Sequence, residues 1–319
     1  MKQKVENSKC KLCNHNELTK IQSIPKQDLI ELYQETYGIA IEGQLTGVAE
    51  IDYYKCSNCN LESFDNNTAG DGSFYEQLQL KRQTYYSPDR KEFSFAQKYI
   101  TTSDKILEIG SGSGLFAQRL VKDNYIGLEF NDKAISDAKA NQITLLKQSI
   151  EEYATGTKNE FDVVCTFHVL EHVKEPFEFI EAALATLKIG GKLIIAVPCN
   201  DSIYTSNVNH VLNLPPHHIG RWQIGTMKNL EKIFNIKLLG QEISSPSEVL
   251  HKKEYIGELL THKVLKVLYP KQQLLLDKTK VKRVRRIIYK LNSILKLYKR
   301  YRNEDIIGEN MTFVYQKLR

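Results

Sequence analysis

A short glycine-rich loop gives the first indication of chemistry in this chain. Gly110, Gly112 and Gly114 alternate with serines, directly after a short apolar run. Glycine adopts positive φ readily and lets a ligand lie against the backbone. Nineteen positions after Gly110, at the end of the next apolar run, Glu129 offers a carboxylate that can accept both hydroxyls of a ribose. The spacing therefore predicts a binding site for a nucleoside cofactor.

The details of the loop argue against a dinucleotide. A dinucleotide-binding loop has its third glycine, or an alanine, five positions after the first, where this chain has Leu115. Glu108, just before the loop, would repel a diphosphate but suits a cationic amino group. The pattern Glu-x-Gly-x-Gly-x-Gly, followed by an acid after the next strand, resembles that of class I S-adenosylmethionine (SAM)-dependent methyltransferases. Their cofactor carries an ammonium, a sulfonium and a ribose, and no phosphate.

This resemblance implies a set of cofactor contacts. The glycine loop and the two acids would hold the amino acid and ribose parts, and the segment after the third strand would meet the adenine edge. The end of the fourth strand would complete the site. The implied residues are Glu108, Gly110, Ser111, Gly112, Gly114, Glu129, Phe130, Ser149, Ile150, Phe167 and His168.

Two histidine clusters are candidates for catalysis. His168 and His172 follow the fourth predicted strand, and His217 and His218 follow a Pro-Pro pair after the fifth. In open α/β sheets, ligands bind beyond the carboxyl ends of the strands, so both clusters fall on the predicted ligand side. A histidine of near-neutral pKa can take the proton from an acceptor hydroxyl. The predicted catalytic residues are His217 and His218, with His168 near the cofactor.

Other interpretations of these histidines stay open. The string from His168 through Glu171 to His172 matches an inverted zinc-protease motif, but it leaves a buried strand instead of lining a cleft on a helix. Imidazole and carboxylate ligands suit zinc or a similar transition metal, so a catalytic metal near these three residues is an alternative. For the second cluster, the structural alternative is a loop stiffened by its prolines and anchored by Trp222.

Four of the six cysteines form two Cys-x-x-Cys knuckles. Cys10, Cys13, Cys56 and Cys59 together supply the four thiolates of a tetrahedral structural zinc site. Cys165 and Cys199 lie in or beside predicted core strands and are expected to be buried. A four-cysteine module ahead of such a core resembles a bacterial group of methyltransferases acting on nucleotide-linked sugars and surface glycans. Aromatic residues after the second knuckle, Phe74 and Tyr75 among them, either line the site or pack the module onto the core.

Alternating strand and helix patterns predict a parallel sheet covered on both faces. The predicted fold is α/β, a Rossmann-like seven-stranded methyltransferase sheet with a small zinc module before it and a basic helical insertion before the last strand. The predicted strands are 105–109, 125–128, 143–146, 161–167, 192–197, 236–243 and 310–316, with helices at 115–122 and from Pro176 to Leu187.

The predicted domains follow from these elements. They are a zinc module (1–70), a helical linker or lid (71–100), the methyltransferase core (101–250), a basic helical insertion (251–303) and the final core strand (304–319).

The insertion concentrates the positive charge of the chain. It carries sixteen lysines and arginines against three acids, a net charge of +13, although the whole chain is only +6. Apolar residues recur at three- and four-residue steps in its second half and predict an amphipathic helix. Such a helix lies on an anionic membrane, binds an acidic ligand or nucleic acid, or packs on its own protein. The stripe consists of Val281, Val284, Ile288, Leu291, Leu295 and Tyr298.

Composition and motifs together give a functional hypothesis. The chain has 319 residues, no apolar run near the ~18 needed to span a bilayer, and no signal-peptide core at its start, so a cytoplasmic location is expected. We expect transfer of a methyl group to a sugar or glycan acceptor, nucleotide-linked or lipid-linked, in bacterial surface polysaccharide or sugar biosynthesis. The alternative is an RNA- or protein-directed methyltransferase, although nucleic acid is the less favoured partner.

Overall fold

The computed structural model describes residues 3–5, 9–65, 68–81, 90–244, 249–269, 275–277, 280–302 and 306–319. These residues form two sheets and a set of helices around them. The helices are α1 (Lys26–Tyr37), α2 (Gly72–Lys81), α3 (Lys91–Gln97), α4 (Asp132–Ala140), α5 (Ile150–Gly156), α6 (Pro176–Thr186), α7 (Ile203–Ser206), α8 (Ile224–Phe234), α9 (Val249–Leu268) and α10 (Lys280–Leu295).

The larger sheet confirms the predicted seven-stranded α/β core. Its spatial order is β11-β12-β9-β8-β5-β6-β7, and β12 runs antiparallel to both of its neighbours. Its central strands are apolar and buried on both faces, as parallel strands covered by helices require. The strands are β5 (Ile106–Ile109), β6 (Tyr125–Leu128), β7 (Leu145–Leu146), β8 (Phe161–Phe167), β9 (Leu187–Pro198), β11 (Ile236–Ile243) and β12 (Asn310–Lys317).

The helix predicted at 115–122 does not form. Only a turn and a short 3₁₀ helix, Ala117–Arg119, follow the glycine loop. Because Gly114 has a φ of 75°, an α-helix can begin only after it, and Leu120 is already extended with a ψ of 170°. A segment this short forms too few hydrogen bonds to offset the free-energy cost of nucleating an α-helix. A single 3₁₀ turn, in contrast, is common in such connections.

The fifth core strand begins earlier than the predicted 192–197 and includes a glycine pair. The helix α6 ends at Thr186 and β9 begins at Leu187, so Gly190 and Gly191 are part of β9. The pairing of β9 with β8 shifts register in this region, because Phe161 faces Leu187 whereas Val163 faces Lys192. The glycines absorb this irregularity, since Gly190 has a φ of 80°.

The smaller sheet joins the amino-terminal segment to the core. It has the order β1-β2-β3-β4-β10, and β10 comes from the core segment that follows the tandem histidines. The predicted zinc module therefore shares a sheet with the methyltransferase core. The strands are β1 (Gln3–Val5), β2 (Leu18–Pro25), β3 (Glu50–Cys56), β4 (Glu62–Phe64) and β10 (Gly220–Arg221).

The basic segment forms two antiparallel helices, α9 and α10, but the predicted apolar stripe of α10 is split. Val281 is buried, whereas Leu291 and Leu295 are exposed. The face of α10 against α9 is largely polar, because Arg285 pairs with Glu258 and Asn292 Nδ2 donates to the Lys253 carbonyl oxygen. Apolar side chains are consequently left on the outer face.

No helix in the described ranges combines the length and apolar character needed to cross a membrane. Of the predicted linker or lid, α2 and α3 are described, while residues 82–89 lie outside the described residues.

Candidate functional site

The glycine loop is shaped by backbone conformations that glycine favours. Gly110, Gly112 and Gly114 have φ values of 71°, 53° and 75°. A Cβ atom on Gly110 would lie 2.3 Å from Cγ2 of Val169, so the loop packs directly against the turn that carries His168. The predicted cofactor loop and the first histidine cluster are therefore adjacent at the carboxyl ends of β5 and β8.

Glu129 lies over this loop, as its position after β6 requires. Its carboxylate accepts hydrogen bonds from the backbone N–H groups of Gly112 (2.8 Å), Phe130 (2.8 Å) and Asn131 (2.9 Å). These contacts hold an acid beside the loop where a ribose would be bound. Phe130 follows with 62% of its side chain exposed, and an exposed aromatic ring at this position suits stacking with an adenine.

Glu108 is buried at the end of β5, beside the loop. Burial raises the pKa of this carboxyl to about 8, although a hydrogen bond from the Tyr125 hydroxyl opposes the rise. A buried carboxyl without a full counter-charge is the chemistry that a cofactor ammonium would complement. The donor set of the loop therefore fits the amino acid part of SAM.

Four residues predicted to contact the cofactor have side chains that the fold uses in another way. The side chains of Ile150 and Phe167 are buried, and Phe167 packs between Phe93 and Phe116, so only backbone atoms of these residues remain for a ligand. Ser149 caps α5, because its hydroxyl accepts a hydrogen bond from the backbone N–H of Glu152 at 3.1 Å. The side chain of Ser111 likewise turns inward, toward the Leu128 carbonyl oxygen. These side chains are therefore engaged in hydrophobic packing, helix capping or an inward hydrogen bond.

His168 sits between two buried carboxylates. Its Nε2 is 3.6 Å from Glu92 Oε1, and its Nδ1 is 3.5 Å from Glu171 Oε1. Burial lowers the pKa of His168, but the hydrogen bonds and charges of Glu171 and Glu92 outweigh it and raise the pKa to about 9. Its φ of 58° is rare outside glycine and turns the chain sharply at the end of β8. Both ring nitrogens of His168 therefore face acids.

The loop carrying the tandem histidines is held by the amino-terminal segment. The Tyr33 hydroxyl donates to the carbonyl oxygens of Val211 and Leu214, both at 3.1 Å, and the Gly70 N–H donates to the Pro216 carbonyl oxygen at 2.8 Å. Trp222 is fully buried after the loop, as the structural alternative required. The cysteine-containing segment thus positions the histidine loop.

The hydrogen bonds of the tandem histidines define their tautomers. Nδ1 of His217 lies 2.8 Å from the Leu212 carbonyl oxygen, which can only accept, so this Nδ1 carries the proton. Nδ1 of His218 lies 3.0 Å from Asn213 Oδ1, and the Asn213 amide nitrogen is committed to donating to Asn200 Oδ1 at 2.6 Å. In both rings the lone pair is therefore on Nε2.

The two histidine clusters meet around Glu171. His218 Nε2 is 3.9 Å and His172 Nε2 is 3.8 Å from Glu171 Oε1. Ring nitrogens of His172, His217 and His218 lie within 4.8 Å of one another, close enough to hold one metal ion. The structure therefore brings His168, His217 and His218 into one buried site, although their catalytic roles remain predictions.

Sequence reasoning missed two residues of this site and left a third undecided. Glu92 enters from α3, far from the histidines in sequence, and Asn213 orients His218. Phe74 is buried as packing, whereas the Tyr75 hydroxyl lies 3.0 Å from His172 Nδ1 and 3.3 Å from the His217 carbonyl oxygen. The Asp-Gly-Ser-Phe-Tyr string gave no signal of these partners, because they come together only in the fold.

The four predicted zinc ligands form one cluster. The Sγ atoms of Cys10 and Cys59 are 3.5 Å apart, those of Cys13 and Cys56 are 3.6 Å apart, and all four lie within 4.8 Å of one another. These separations exclude disulfides and fit four thiolates around one tetrahedral ion with zinc–sulfur bonds of about 2.3 Å. Zinc as the ion stays a prediction. The cluster docks on the core, because the Cys59 carbonyl oxygen accepts a hydrogen bond from Asn229 of α8.

Comparison with known proteins identifies the core. Residues 78–237 match a family model described as a methyltransferase domain. A SAM-dependent methyltransferase from Archaeoglobus fulgidus has the same fold, with a TM-score of 0.50 and 18% identity over 76% of this chain and 100% of that one.

Curated relatives match over a shorter region. The ubiquinone biosynthesis O-methyltransferase of Vibrio vulnificus is 27% identical over 100 residues, which are 29% of this chain and 43% of that protein. The protein of the same name from Nitrosospira multiformis is 28% identical over 123 residues, 35% of this chain and 52% of its own length. The chain thus spans about half the length of these relatives, or less. Because the family model covers half of the chain, this chain belongs to the methyltransferase domain family.

Proposed function

We propose that this enzyme transfers the methyl group of SAM to a hydroxyl oxygen of its acceptor, which enters between the glycine loop and the tandem histidines. The observation that carries the proposal is the clustering of His172, His217 and His218, two of which, His172 and His218, lie beside the buried Glu171, next to the turn that contacts Gly110. Methyl transfer from a sulfonium depends mainly on in-line alignment, and a hydroxyl acceptor must also lose a proton. The histidine cluster supplies the group for that proton.

The tandem histidines suit this task because their rings are fixed. Leu212 and Asn213 hold the Nδ1–H groups, so each ring has its lone pair on Nε2. Residues fixed by their own hydrogen bonds place a base within about 3 Å of a hydroxyl at little cost in ordering. We therefore assign activation of the acceptor oxygen to His217 and His218, and positioning of the turn beside the cofactor to His168.

The acceptor predicted from the sequence, a sugar or glycan, is not supported by the relatives, whose name places them in ubiquinone biosynthesis. Their name does include O-methyl transfer, which agrees with an oxygen acceptor. We therefore specify the proposed acceptor only as a hydroxyl group. The candidate carriers are nucleotide-linked sugars, lipid-linked glycans and hydroxylated intermediates of ubiquinone biosynthesis.

An acceptor panel tests the proposal. Purified enzyme with SAM is incubated with each of the three classes, and products are read by mass spectrometry for the gain of one methyl group and located by fragmentation. We expect an O-methylated product with one class, and at least a hundredfold lower turnover when His217 and His218 are both replaced by alanine. The exposed His262 of α9, changed to alanine, is the matched control. A product methylated on carbon or nitrogen, or full turnover by the double variant, would contradict the proposal.

A second candidate function, methylation of RNA, is suggested by the basic helices α9 and α10. Its signature is affinity that falls steeply with salt, because phosphate contacts release counterions. RNA binding measured by filter assay between 50 and 200 mM salt discriminates RNA methylation from methylation of a small acceptor. RNA included as a further acceptor in the same panel gives an independent test. Tight, salt-sensitive RNA binding with methylated RNA as product would replace the small-acceptor proposal.

A further inference from the structure

One side of α10 carries apolar side chains that the described residues leave uncovered. Twelve large apolar side chains are exposed in the described ranges, and four of them lie on this one helix of sixteen residues. The exposed fractions are 52%, 44%, 64% and 57% for Ile287, Leu291, Ile294 and Leu295. These four residues are the outer apolar face of α10. Single exposed apolar residues are normal on a protein surface, whereas a contiguous group marks an interaction site.

The outer apolar face is continuous around the helix. Successive residues of an α-helix are rotated by about 100°, so its four positions together cover an arc of about 100°. An arc of this width is what an amphipathic helix buries against a partner. The outer apolar face is therefore wide enough to be a complete contact surface.

Polar contacts on another side of α10 prevent the helix from turning this face inward. Arg285 Nη2 donates to Glu258 Oε2 at 3.1 Å, and the Tyr289 hydroxyl donates to Glu258 Oε1 at 2.7 Å. Glu258 is buried, so a rotation of α10 about its axis would leave a buried carboxylate without its cation, which is strongly destabilising. Asn292 adds a hydrogen bond from its Nδ2 to the Lys253 carbonyl oxygen at 2.8 Å. These contacts keep the outer apolar face on the outside.

The helix is also anchored just before its first turn. Asn209 Nδ2 donates to the Asp277 carbonyl oxygen at 2.7 Å, and Asn209 Oδ1 accepts a hydrogen bond from the Asp277 N–H at 2.8 Å. Arg285 Nη2 donates in addition to the Val208 carbonyl oxygen at 2.8 Å. These contacts attach α10 to the segment between β9 and the tandem histidines, so the outer apolar face is held in place before any partner binds.

Positive charge lies along one edge of the outer apolar face. By the same rotation, Arg283 and Lys290 lie within about 60° of Ile287 around the helix, and Arg286 lies at about 100° on the same side. All three basic residues are exposed, and no ion pair within the described ranges engages them. Residues 278–303 contain no aspartate or glutamate, so this charge is not neutralised locally. The partner of the face must therefore accept both apolar side chains and positive charge.

We propose that the outer apolar face of α10 lies on an anionic membrane surface. There the apolar side chains enter the boundary between headgroups and acyl chains, while Arg283 and Lys290 extend to the lipid phosphates. A helix of sixteen residues is shorter than the roughly 20 needed to span a bilayer, so α10 lies in the plane of the interface. The proposal goes beyond the proposed function, since it involves neither the cofactor loop nor the histidines.

Two other occupants fit this face less well. The phosphates of RNA would neutralise the basic residues but gain nothing from the apolar side chains. A second copy of the chain would cover the apolar side chains but bring two basic edges together, and like charges across an interface oppose association. An anionic bilayer accommodates both parts of the surface.

Vesicle sedimentation tests the lipid surface. The full chain is mixed with phosphatidylcholine vesicles that contain phosphatidylglycerol, or with vesicles of phosphatidylcholine alone. We expect at least tenfold weaker binding to the neutral vesicles, because the basic residues are attracted only by the anionic lipid. Absence of binding to either vesicle, equal binding to both, or binding of RNA without binding of vesicles would overturn the proposal.

Variants assign the binding to this face. The triple change Ile287→Ser, Leu291→Ser and Ile294→Ser should weaken binding to the anionic vesicles at least tenfold. The matched control is a triple change of exposed apolar residues outside α10, namely Leu80→Ser, Ile189→Ser and Leu318→Ser. The control should bind as the wild type does, and far-ultraviolet circular dichroism confirms that both variants are folded. Unchanged binding of the α10 variant, or an equal loss in the control, would contradict the assignment.

A tryptophan in place of Ile294 reports whether the face enters the lipid. The chain has one tryptophan, Trp222, which is fully buried and gives a constant background. In Ile294→Trp, the added emission should shift to shorter wavelength on anionic vesicles and be quenched by lipids brominated on their acyl chains. If the protein sedimented with the vesicles but its emission neither shifted nor was quenched, attachment would be by charge alone and the proposal would be wrong.

Discussion

The buried carboxyl of Glu108 should make both stability and cofactor binding depend on pH. Burial raises its pKa from 4.5 to about 8, so the folded protein holds this proton where the unfolded chain has lost it. Stability from this group is therefore fully present below about pH 4.5 and is lost as pH rises toward 8. Between pH 5 and pH 8 the loss amounts to about 3 to 4 kcal/mol.

Glu108→Gln separates this contribution from every other titrating group. Glutamine keeps the shape and can accept the hydrogen bond from the Tyr125 hydroxyl, but it does not titrate. Urea unfolding of both proteins, without cofactor, should give a stability difference that shifts by about 3 to 4 kcal/mol in favour of the glutamine variant from pH 5 to pH 8. An equal difference at the two pH values would refute the burial argument.

The same group should couple cofactor binding to proton release. A cofactor ammonium favours the ionised carboxylate, so the dissociation constant of SAM should fall as pH rises from 6 to 8. Calorimetry in buffers of different ionisation enthalpy should show protons released on binding below pH 8, and Glu108→Gln should abolish both effects. Proton uptake on binding would contradict the assignment of Glu108 to the amino group.

Three further predictions concern the loop, its aromatic neighbour and the cysteine cluster. Gly110→Ala should bind SAM at least a hundredfold more weakly by calorimetry, because its φ is 71° and the new Cβ would overlap Val169; binding at wild-type affinity would contradict the role given to the loop. Phe130→Ala should raise the dissociation constant of SAM about tenfold and leave the melting temperature unchanged, since the ring is 62% exposed; an unchanged affinity would remove it from the adenine site. Cys56→Ser should lower zinc content by one equivalent and the melting temperature by about 10 °C, because it removes one of four clustered thiolates; retained zinc at the wild-type level would argue against the site.

The core sheet could be predicted from the sequence because its strands carry a local signal. Runs such as Phe161–Phe167 are almost continuously apolar. The loop of alternating glycines, together with Glu129 after β6, indicates both the fold and the edge of the sheet at which the cofactor is expected. The cysteine knuckles are similarly local, since each pair is separated by two residues. Where an element or a cluster follows from spacing along the chain, the sequence was sufficient to predict its position.

The histidine site could be predicted only in part, because its partners come from separate segments. Nothing in the sequence near Glu92 or Tyr75 indicates that they contact His168 and His172. The sequence also did not indicate which face of α10 packs on α9, because apolar periodicity does not reveal that Arg285 and Asn292 are the contacting residues. Buried polar pairs outweigh the hydrophobic pattern there, and such pairs are visible only in three dimensions.

Titration of SAM into the enzyme by calorimetry is the direct test of cofactor binding at the glycine loop. We predict one binding site per chain, with competition by S-adenosylhomocysteine. Glu129→Ala should weaken binding at least tenfold, because this carboxylate lies over the glycine loop, and the exposed Glu178→Ala of α6 should bind as the wild type does. Absence of binding, or equal affinities for the wild type and Glu129→Ala, would contradict a SAM site at the glycine loop.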